Sequence, residues 1–144
     1  MLSKKSKYGL KALTYIASQN NEELVQISEI SESEKISRKF LEAILLTLKK
    51  AGFLSSKKGK RGGYYLLKAA DEIIMSDVIR VLEGPIAMVP CVSLNFYEHC
   101  DDCIDENKCS VQMLMLEVRD SMLDVLSNKS LADMVNDLKA CKKS

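Results

Sequence analysis

Apolar residues in the first third of the chain recur with the period of an α-helix. The spacing predicts a first helix over residues 6–19, carried by Leu10, Leu13, Ile16 and Ala17. Residues 23–27 are short enough for a brief strand, and a second helix is predicted over residues 28–34 with Ser28 as its N-cap. The chain is thus expected to begin with two helices separated by a short extended segment.

The strongest helical pattern follows next. Ser37 is suited to cap a third helix that runs to about Ala51, and Gly52 suits its C-terminus. The face predicted to be buried consists of Ile36, Phe40, Leu41, Ile44, Leu45 and Leu48. Residues 53–67 then show two short β-like runs around a glycine-rich basic turn, which is typical of a hairpin. This order of elements predicts a winged helix-turn-helix.

The second half of the chain is predicted to be helical on either side of an irregular segment. Ser76 is expected to cap a helix over residues 76–83 that stops at Gly84-Pro85. A long helix is predicted over residues 110–127, and Ser130 is expected to cap a last helix, whose apolar face is Leu131, Met134, Val135 and Leu138. The predicted fold class is therefore mainly α with a small β-wing.

The predicted long helix is apolar around much of its circumference. One seam consists of Val111, Leu114, Val118, Met122 and Val125, and it is broadened by Met115, Leu116, Leu123 and Leu126. Such a helix must be covered on more than one side. In a chain of 144 residues the second cover is expected to be another subunit, which predicts a homodimer. The alternative is a central core helix in a monomer.

The formal net charge of +1 conceals a division between the two halves of the chain. Residues 1–70 contain 14 Lys+Arg and 6 Asp+Glu, a net charge of +8, whereas residues 71–144 contain 7 and 14, a net charge of −7. A basic half next to an acidic half indicates that the first half meets a polyanion. The alternative is an unevenly charged but merely solvated surface.

The predicted third helix and the basic turn together indicate binding to double-stranded DNA. Outward positions at the start of the helix resemble those a recognition helix presents to the major groove, namely Ser37, Arg38, Lys39 and Glu42. The turn offers a minor-groove or phosphate contact through Lys58, Lys60, Arg61 and Gly62, with Arg61 as the residue expected in the groove. Winged helices also serve as protein-interaction modules, so each element alone is a weak indication.

Four of the five cysteines lie in one short acidic segment. They are Cys91, Cys100, Cys103 and Cys109, with the spacing Cys-x8-Cys-x2-Cys-x5-Cys. Clustered thiols in polar surroundings are typical of ligands, and four thiolates suit an iron–sulfur cluster or a structural zinc ion. The neighbouring His99, the only histidine, is either a further ligand or a surface side chain.

These patterns divide the chain into three expected parts. Residues 1–84 form the winged helix-turn-helix DNA-binding domain, residues 85–109 the cysteine-rich cofactor-binding loop, and residues 110–144 the dimerisation helix and C-terminal helix. The sequence shows no signal peptide and no transmembrane stretch, so the expectation is a cytoplasmic protein with no membrane partner. The sequence shows no nucleophile–base pair, phosphate loop or paired carboxylates that would indicate an enzyme. A dithiol redox enzyme using Cys100 and Cys103 is disfavoured, because reactive thiols need positive neighbours and these two have acidic ones.

The sequence resembles one family of bacterial regulators over nearly its whole length. Residues 6–13 (SKYGLKAL), 36–42 (ISRKFLE) and 48–66 (LKKAGFLSSKKGKRGGYYL) are similar to the Rrf-two family of winged-helix transcription factors, which includes IscR, NsrR and RirA. The resemblance implies a homodimer crossed by its long helix and bound to operator DNA. It also implies an iron–sulfur cluster, with 2Fe-2S favoured and 4Fe-4S possible, that senses iron–sulfur status, oxygen or nitric oxide.

The resemblance assigns three of the cluster ligands and leaves the fourth open. Cys91, Cys103 and Cys109 match the three cysteines of the family pattern, and Cys100 is additional. Where IscR-like members carry a histidine, this chain has Gln112, a poor iron ligand. Cys100 or a residue of the partner's first helix would then complete the set. The alternatives are a zinc-stabilised regulator and a regulator of the same family without a cluster.

Overall fold

The computed structural model describes residues 2–19 and 23–142. These residues form six α-helices and one antiparallel hairpin, in the order α1 (Lys4–Ser18), α2 (Ile27–Glu34), α3 (Arg38–Lys50), β1 (Leu54–Lys57), β2 (Gly63–Leu66), α4 (Met75–Leu82), α5 (Ser110–Ser127) and α6 (Leu131–Lys142). The mainly α fold with a small β-wing is confirmed. Within the described ranges, no helix has both the length and the apolar character needed to cross a membrane.

The third helix begins and ends where the sequence predicts. The Ser37 hydroxyl accepts a hydrogen bond from the Phe40 N–H at 3.3 Å, which satisfies one of the unpaired donors of the first turn. At the other end Ala51 is the C-cap, and Gly52 follows with φ +88°, a conformation that residues with a Cβ rarely adopt. Local sequence therefore sets both ends of this helix.

The predicted cap of the second helix is wrong by two residues. The helix begins at Ile27 after Gln26, so Ser28 lies inside its first turn. Glu29 explains the shift, because its carboxylate accepts a hydrogen bond from the Gln26 N–H at 3.4 Å. The residues before it do not form a strand but a single β-bridge, between Val25 and Tyr64 of the wing.

The predicted cap of the fourth helix, Ser76, is also wrong. The helix begins at Met75, and Ser76 is buried in its first turn. A second β-bridge, between Ile74 and Ser130, fixes this start through hydrogen bonds from the Met75 N–H to the Lys129 carbonyl (2.9 Å) and from the Leu131 N–H to the Ile73 carbonyl (2.8 Å). Ser130 does cap α6, since its hydroxyl accepts from the Asp133 N–H at 3.1 Å.

One hydrophobic core connects the winged-helix elements with the last helix. Its fully buried members include Leu13, Ile30, Leu41, Ile44, Leu45, Leu48, Leu54, Ile73, Val78 and Leu131. Helices α1 and α4 pack tightly at Gly9, where an added Cβ would lie 2.6 Å from a Leu82 methyl carbon. The end of α4 is therefore in direct contact with α1.

Helix α5 differs from the others because none of its residues is buried. Val111, Met113, Leu114 and Val125 are each more than half exposed. Within the described part of the chain, α5 packs mainly against α4 and a short 3₁₀ turn at Pro90–Val92. The apolar side of α5 that is predicted to pack against a second subunit is therefore exposed to solvent in the isolated chain.

The N-terminus of α1 is tied to the residue at which α4 ends. The Glu83 carboxylate accepts hydrogen bonds from the Ser3 N–H (3.2 Å), the Ser3 hydroxyl (2.6 Å) and the Ser6 hydroxyl. The hydrogen bond from the Ser3 side chain, and then that from Ser6, lowers the pKa of Glu83. This contact joins the first helix to the point where the cysteine-rich segment begins.

Replacing Glu83 with glutamine is expected to lower the free energy of unfolding by about 1 kcal/mol at neutral pH, since charged hydrogen bonds on an exposed group are partly screened. Because folding lowers the pKa of Glu83, its contribution is complete above the ordinary carboxyl value of 4.5 and is lost as the pH falls through the folded pKa. Urea unfolding at neutral and acidic pH measures the free energy of unfolding of both proteins. If the difference between Glu83→Gln and wild type did not shrink in acid, the role of the Glu83 carboxylate would be contradicted. Glu117→Gln on exposed α5 is the control.

Candidate functional site

The start of α3 presents a continuous polar surface. Ser37, Arg38, Lys39 and Glu42 are all exposed, while Leu41 and Ile44 on the opposite side are fully buried. The amphipathic pattern therefore places all four predicted contact residues on the outside of the helix. An exposed helix N-terminus with Arg, Lys and Ser is suited to phosphate and base-edge contacts.

The wing places its cations at the tip of the hairpin. Strand pairing ends at Lys57 and Gly63, and Lys58, Lys60 and Arg61 are exposed in the turn between them. Within the described part of the chain, none of these three cations forms an ion pair. The turn therefore offers three unneutralised cations to a polyanion.

Gly62 is required by the shape of this turn. Its N–H donates to the Gly59 carbonyl at 2.9 Å, and a Cβ at Gly62 would lie 2.2 Å from the Lys57 carbonyl oxygen. Backbone atoms cannot yield as a flexible side chain can, so no other residue fits without opening the turn. Gly62 thus shapes the wing rather than supplying a contact through a side chain.

The cysteine segment gathers its four predicted ligands around one cavity. Cys91, Cys100, Cys103 and Cys109 are all half-buried, and all four line an open cavity of about 730 Å³. The cavity lies at the start of α5, where the Cys109 sulfur is the N-cap and accepts from the Gln112 N–H at 3.4 Å. Thiols separated by up to eighteen positions in the sequence are thus brought to one place.

The four thiols perturb one another. Cys91 is the main cause that raises the pKa of Cys100 to about 11, and Cys103 contributes to the same shift. Burial is the first cause that raises the pKa of Cys103, followed by the charge of Cys109. Among the described residues, no group of three or more His, Cys, Asp or Glu side chains is arranged to hold a single metal ion.

His99 is engaged through both ring nitrogens. Nδ1 lies 2.6 Å from a Glu106 carboxylate oxygen, and Nε2 lies 3.2 Å from the Cys103 carbonyl oxygen. The hydrogen bond to Glu106 is the main cause that raises the pKa of His99. With both nitrogens facing oxygen acceptors, the ring is poorly placed to bind a metal.

Two residues that sequence reasoning missed hold the segment in place. The Glu106 carboxylate also accepts from the Tyr97 hydroxyl at 2.6 Å. Arg119 of α5 donates to the Val92 carbonyl at 3.0 Å and so fixes the 3₁₀ turn that contains Cys91. Nothing in the sequence distinguishes Glu106 from its acidic neighbours, and Arg119 has no local signal at all.

Comparison with known proteins agrees with this architecture. The family described as "Iron-dependent Transcriptional regulator", Rrf2, matches residues 2–137. A Rhodobacter capsulatus protein described as an HTH-type, Rrf2-like transcriptional regulator is 40% identical over 138 residues, which cover 94% of this chain and 92% of the relative.

Solved structures show the same similarity. CymR, the global cysteine regulator of B. subtilis, has a TM-score of 0.78 at 31% identity, with 94% of this chain and 96% of CymR covered. IscR from T. potens has a TM-score of 0.73 at 30% identity, with 96% and 88% covered. The chain therefore belongs to the Rrf2 family of transcriptional regulators.

Proposed function

We propose that this regulator is a homodimer whose affinity for operator DNA is set by an iron–sulfur cluster held at the cysteine cavity. The observation that carries the proposal is the gathering of four thiols around one cavity at the start of α5. The site would respond to conditions that build or destroy a cluster, namely iron–sulfur status, oxygen or nitric oxide.

The donors in the cavity fit a cluster better than a single zinc ion. Thiolates are the usual ligands of iron–sulfur clusters, and a 2Fe-2S cluster has two irons that each take two protein ligands. The four thiols that line the cavity meet that requirement in number and in type, whereas a structural zinc needs four donors converging on one point, an arrangement that the described residues do not show. A 2Fe-2S cluster is the favoured form, and a 4Fe-4S cluster, which also takes four thiolates, is the second form.

DNA binding is supported by the two exposed basic elements and by the open side of α5. A twofold dimer through α5 would present two copies of α3, and half-sites one helical turn of DNA apart require a separation of about 34–36 Å. The contacts we assign are Ser37, Arg38, Lys39 and Glu42 on α3 and Lys58, Lys60 and Arg61 on the wing, which Gly62 shapes.

The path from the cysteine cavity to α3 is short and physically connected. The cysteine-rich segment leaves α4 at Glu83, which holds Ser3 and Ser6 of the α1 N-terminus. Helix α1 in turn packs on α3, where the rings of Tyr8 and Phe40 meet edge to face with centroids 5.7 Å apart. We infer that this chain of contacts, from the end of α4 through α1 to α3, would carry a change in the order of the segment to the recognition surface.

A second candidate, a regulator of the same family without a cluster, is favoured by one observation. The similarity to CymR, which is named a global cysteine regulator, is as extensive as the similarity to IscR.

Anaerobic purification followed by iron, sulfide and zinc assays and visible spectroscopy separates the candidates. Iron with equimolar sulfide and a coloured protein supports the cluster; zinc alone, or no metal, overturns it.

The wing assignment predicts a loss of DNA affinity in Arg61→Ala and Gly62→Ala. Arg61→Ala removes one cation and should lower the slope of log affinity against log salt by about one unit. Gly62→Ala keeps the charge but opens the turn, so affinity should fall while the charge of the protein is unchanged. Titration of a labelled duplex at several salt concentrations measures both. Lys139→Ala, an exposed cation on α6, is the control, and equal effects of all three variants would contradict the assignment.

A further inference from the structure

One carboxylate joins three separate parts of the cysteine-rich segment. Glu106 accepts a hydrogen bond from the Tyr97 hydroxyl at 2.6 Å and contacts Nδ1 of His99 at 2.6 Å, and Gln112 also lowers the pKa of this carboxyl. Tyr97 and His99 lie between the first two cysteines, Glu106 lies between the last two, and Gln112 lies in the first turn of α5. The Glu106 side chain is only 22% exposed.

We propose that Glu106 is the positioning residue of the cluster site: its carboxylate ties Tyr97 and His99, which precede Cys100, to the residues that precede Cys109, so that the four cysteines line one cavity, and it occupies His99 so that all four ligands are thiolates. The part that concerns the cluster rests on the proposed function. The folding of the segment by Glu106 does not, because it rests on the contacts of Glu106 with Tyr97 and His99.

The geometry removes each competitor for the fourth ligand position. His99 has Nδ1 on Glu106 and Nε2 on the Cys103 carbonyl, so neither nitrogen faces the cavity with a lone pair. Gln112 carries an amide, which is a poor ligand for iron. Cys100 lines the cavity together with the three other cysteines, which leaves it as the fourth donor.

The partner subunit's first helix offers no replacement. Residues 1–21 contain no Cys, His, Asp or Glu, the side chains that commonly bind iron. A ligand donated across the dimer from that region would have to be a weaker or less common donor, such as a hydroxyl, an amide or the Met1 thioether. The segment 91–109 is therefore chemically self-sufficient, and one protomer can hold its own cluster.

Hydrogen–deuterium exchange on the metal-free protein tests the folding role. Glu106→Ala should speed amide exchange across residues 97–106, and Glu106→Gln, which keeps the shape but loses the charge, should have a smaller effect. Glu98→Ala is the matched control, because Glu98 is an exposed carboxylate of the same segment. Exchange in Glu106→Ala that matched exchange in Glu98→Ala would overturn the proposal, whether or not wild type binds a cluster.

The rate of cluster loss and the visible and electron-paramagnetic spectra test the ligand assignment. In Glu106→Ala and Tyr97→Phe the cluster should be lost about 10-fold faster in air than in wild type, as is usual when a hydrogen-bond partner of a metal site is removed. His99→Ala should keep the wild-type spectral shape because the imidazole is not a ligand, whereas Cys100→Ala should change the shape or lose the iron. The reverse pattern, a changed spectrum in His99→Ala and an unchanged one in Cys100→Ala, would overturn the all-thiolate assignment while leaving the cluster itself established.

Discussion

Introducing charge on the open side of α5 is expected to dissociate the protein into monomers and to abolish tight operator binding. In Leu114→Glu/Val125→Glu, two carboxylates would enter the apolar surface that a second subunit covers in the proposed homodimer, and burying unpaired charges is costly. Both side chains are more than half exposed in the single chain, so the fold of each protomer should survive. Because a monomer engages only one half-site, operator affinity should fall at least about 100-fold.

Analytical ultracentrifugation and circular dichroism separate dissociation from unfolding. The variant should sediment as a monomer with helical content close to that of wild type. Asn136→Glu, which adds the same charge at an exposed position of α6, should remain dimeric and bind DNA normally. A double variant that stayed dimeric and kept its operator affinity would show that the open side of α5 is not the subunit interface.

Removing any one of the three cysteines that match the family pattern is expected to abolish the cluster. Cys91→Ala, Cys103→Ala and Cys109→Ala should each be purified colourless under anaerobic conditions, with iron and sulfide near zero. Their operator affinities should equal that of wild type after cluster removal. That affinity should differ from the affinity of the cluster-loaded form by roughly 5–150-fold, the usual range of coupling between two sites.

Cys109 requires a control of its own because its sulfur also caps α5. Serine is a good N-cap but a poor iron ligand, so Cys109→Ser should restore the helix start without restoring the cluster. Cys141→Ala, in α6 and outside the segment, should keep both cluster and DNA affinity. Wild-type iron and sulfide in all three segment variants would remove the cysteine cavity as the cofactor site.

The parts of the fold that the sequence predicts are those set by local physical chemistry. Ser37 and Gly52 bound α3 because a side-chain cap and a left-handed backbone are properties of single residues. The predictions of Ser28 and Ser76 as helix caps are wrong for two different reasons. Glu29 moves the start of α2 by a reciprocal contact, and the bridge between Ile74 and Ser130 fixes the start of α4 from more than fifty residues away.

The candidate site shows the same division. The clustering of the cysteines in the sequence predicts the four ligands, because the ability to bind iron depends on the residue type itself. It does not reveal that they line one cavity, nor that Glu106 is held by Tyr97 and His99, because these arrangements exist only once the segment folds on itself. Arg119 is still harder to find, since its bond to the Val92 carbonyl joins α5 to a turn that no local pattern predicts.

Coupling between the cysteine cavity and DNA is tested most directly by measuring one affinity twice on one preparation. Anaerobically purified protein is first used to select a duplex that it binds from genomic fragments. The dissociation constant for that duplex is then measured before and after a chelator removes the iron. Cys103→Ala is carried through the same treatment as the control. We predict that chelation shifts the wild-type constant by at least about 5-fold and leaves that of Cys103→Ala unchanged. Identical constants for cluster-loaded and stripped wild-type protein, at any salt concentration, would contradict the proposed control of operator binding by a cluster.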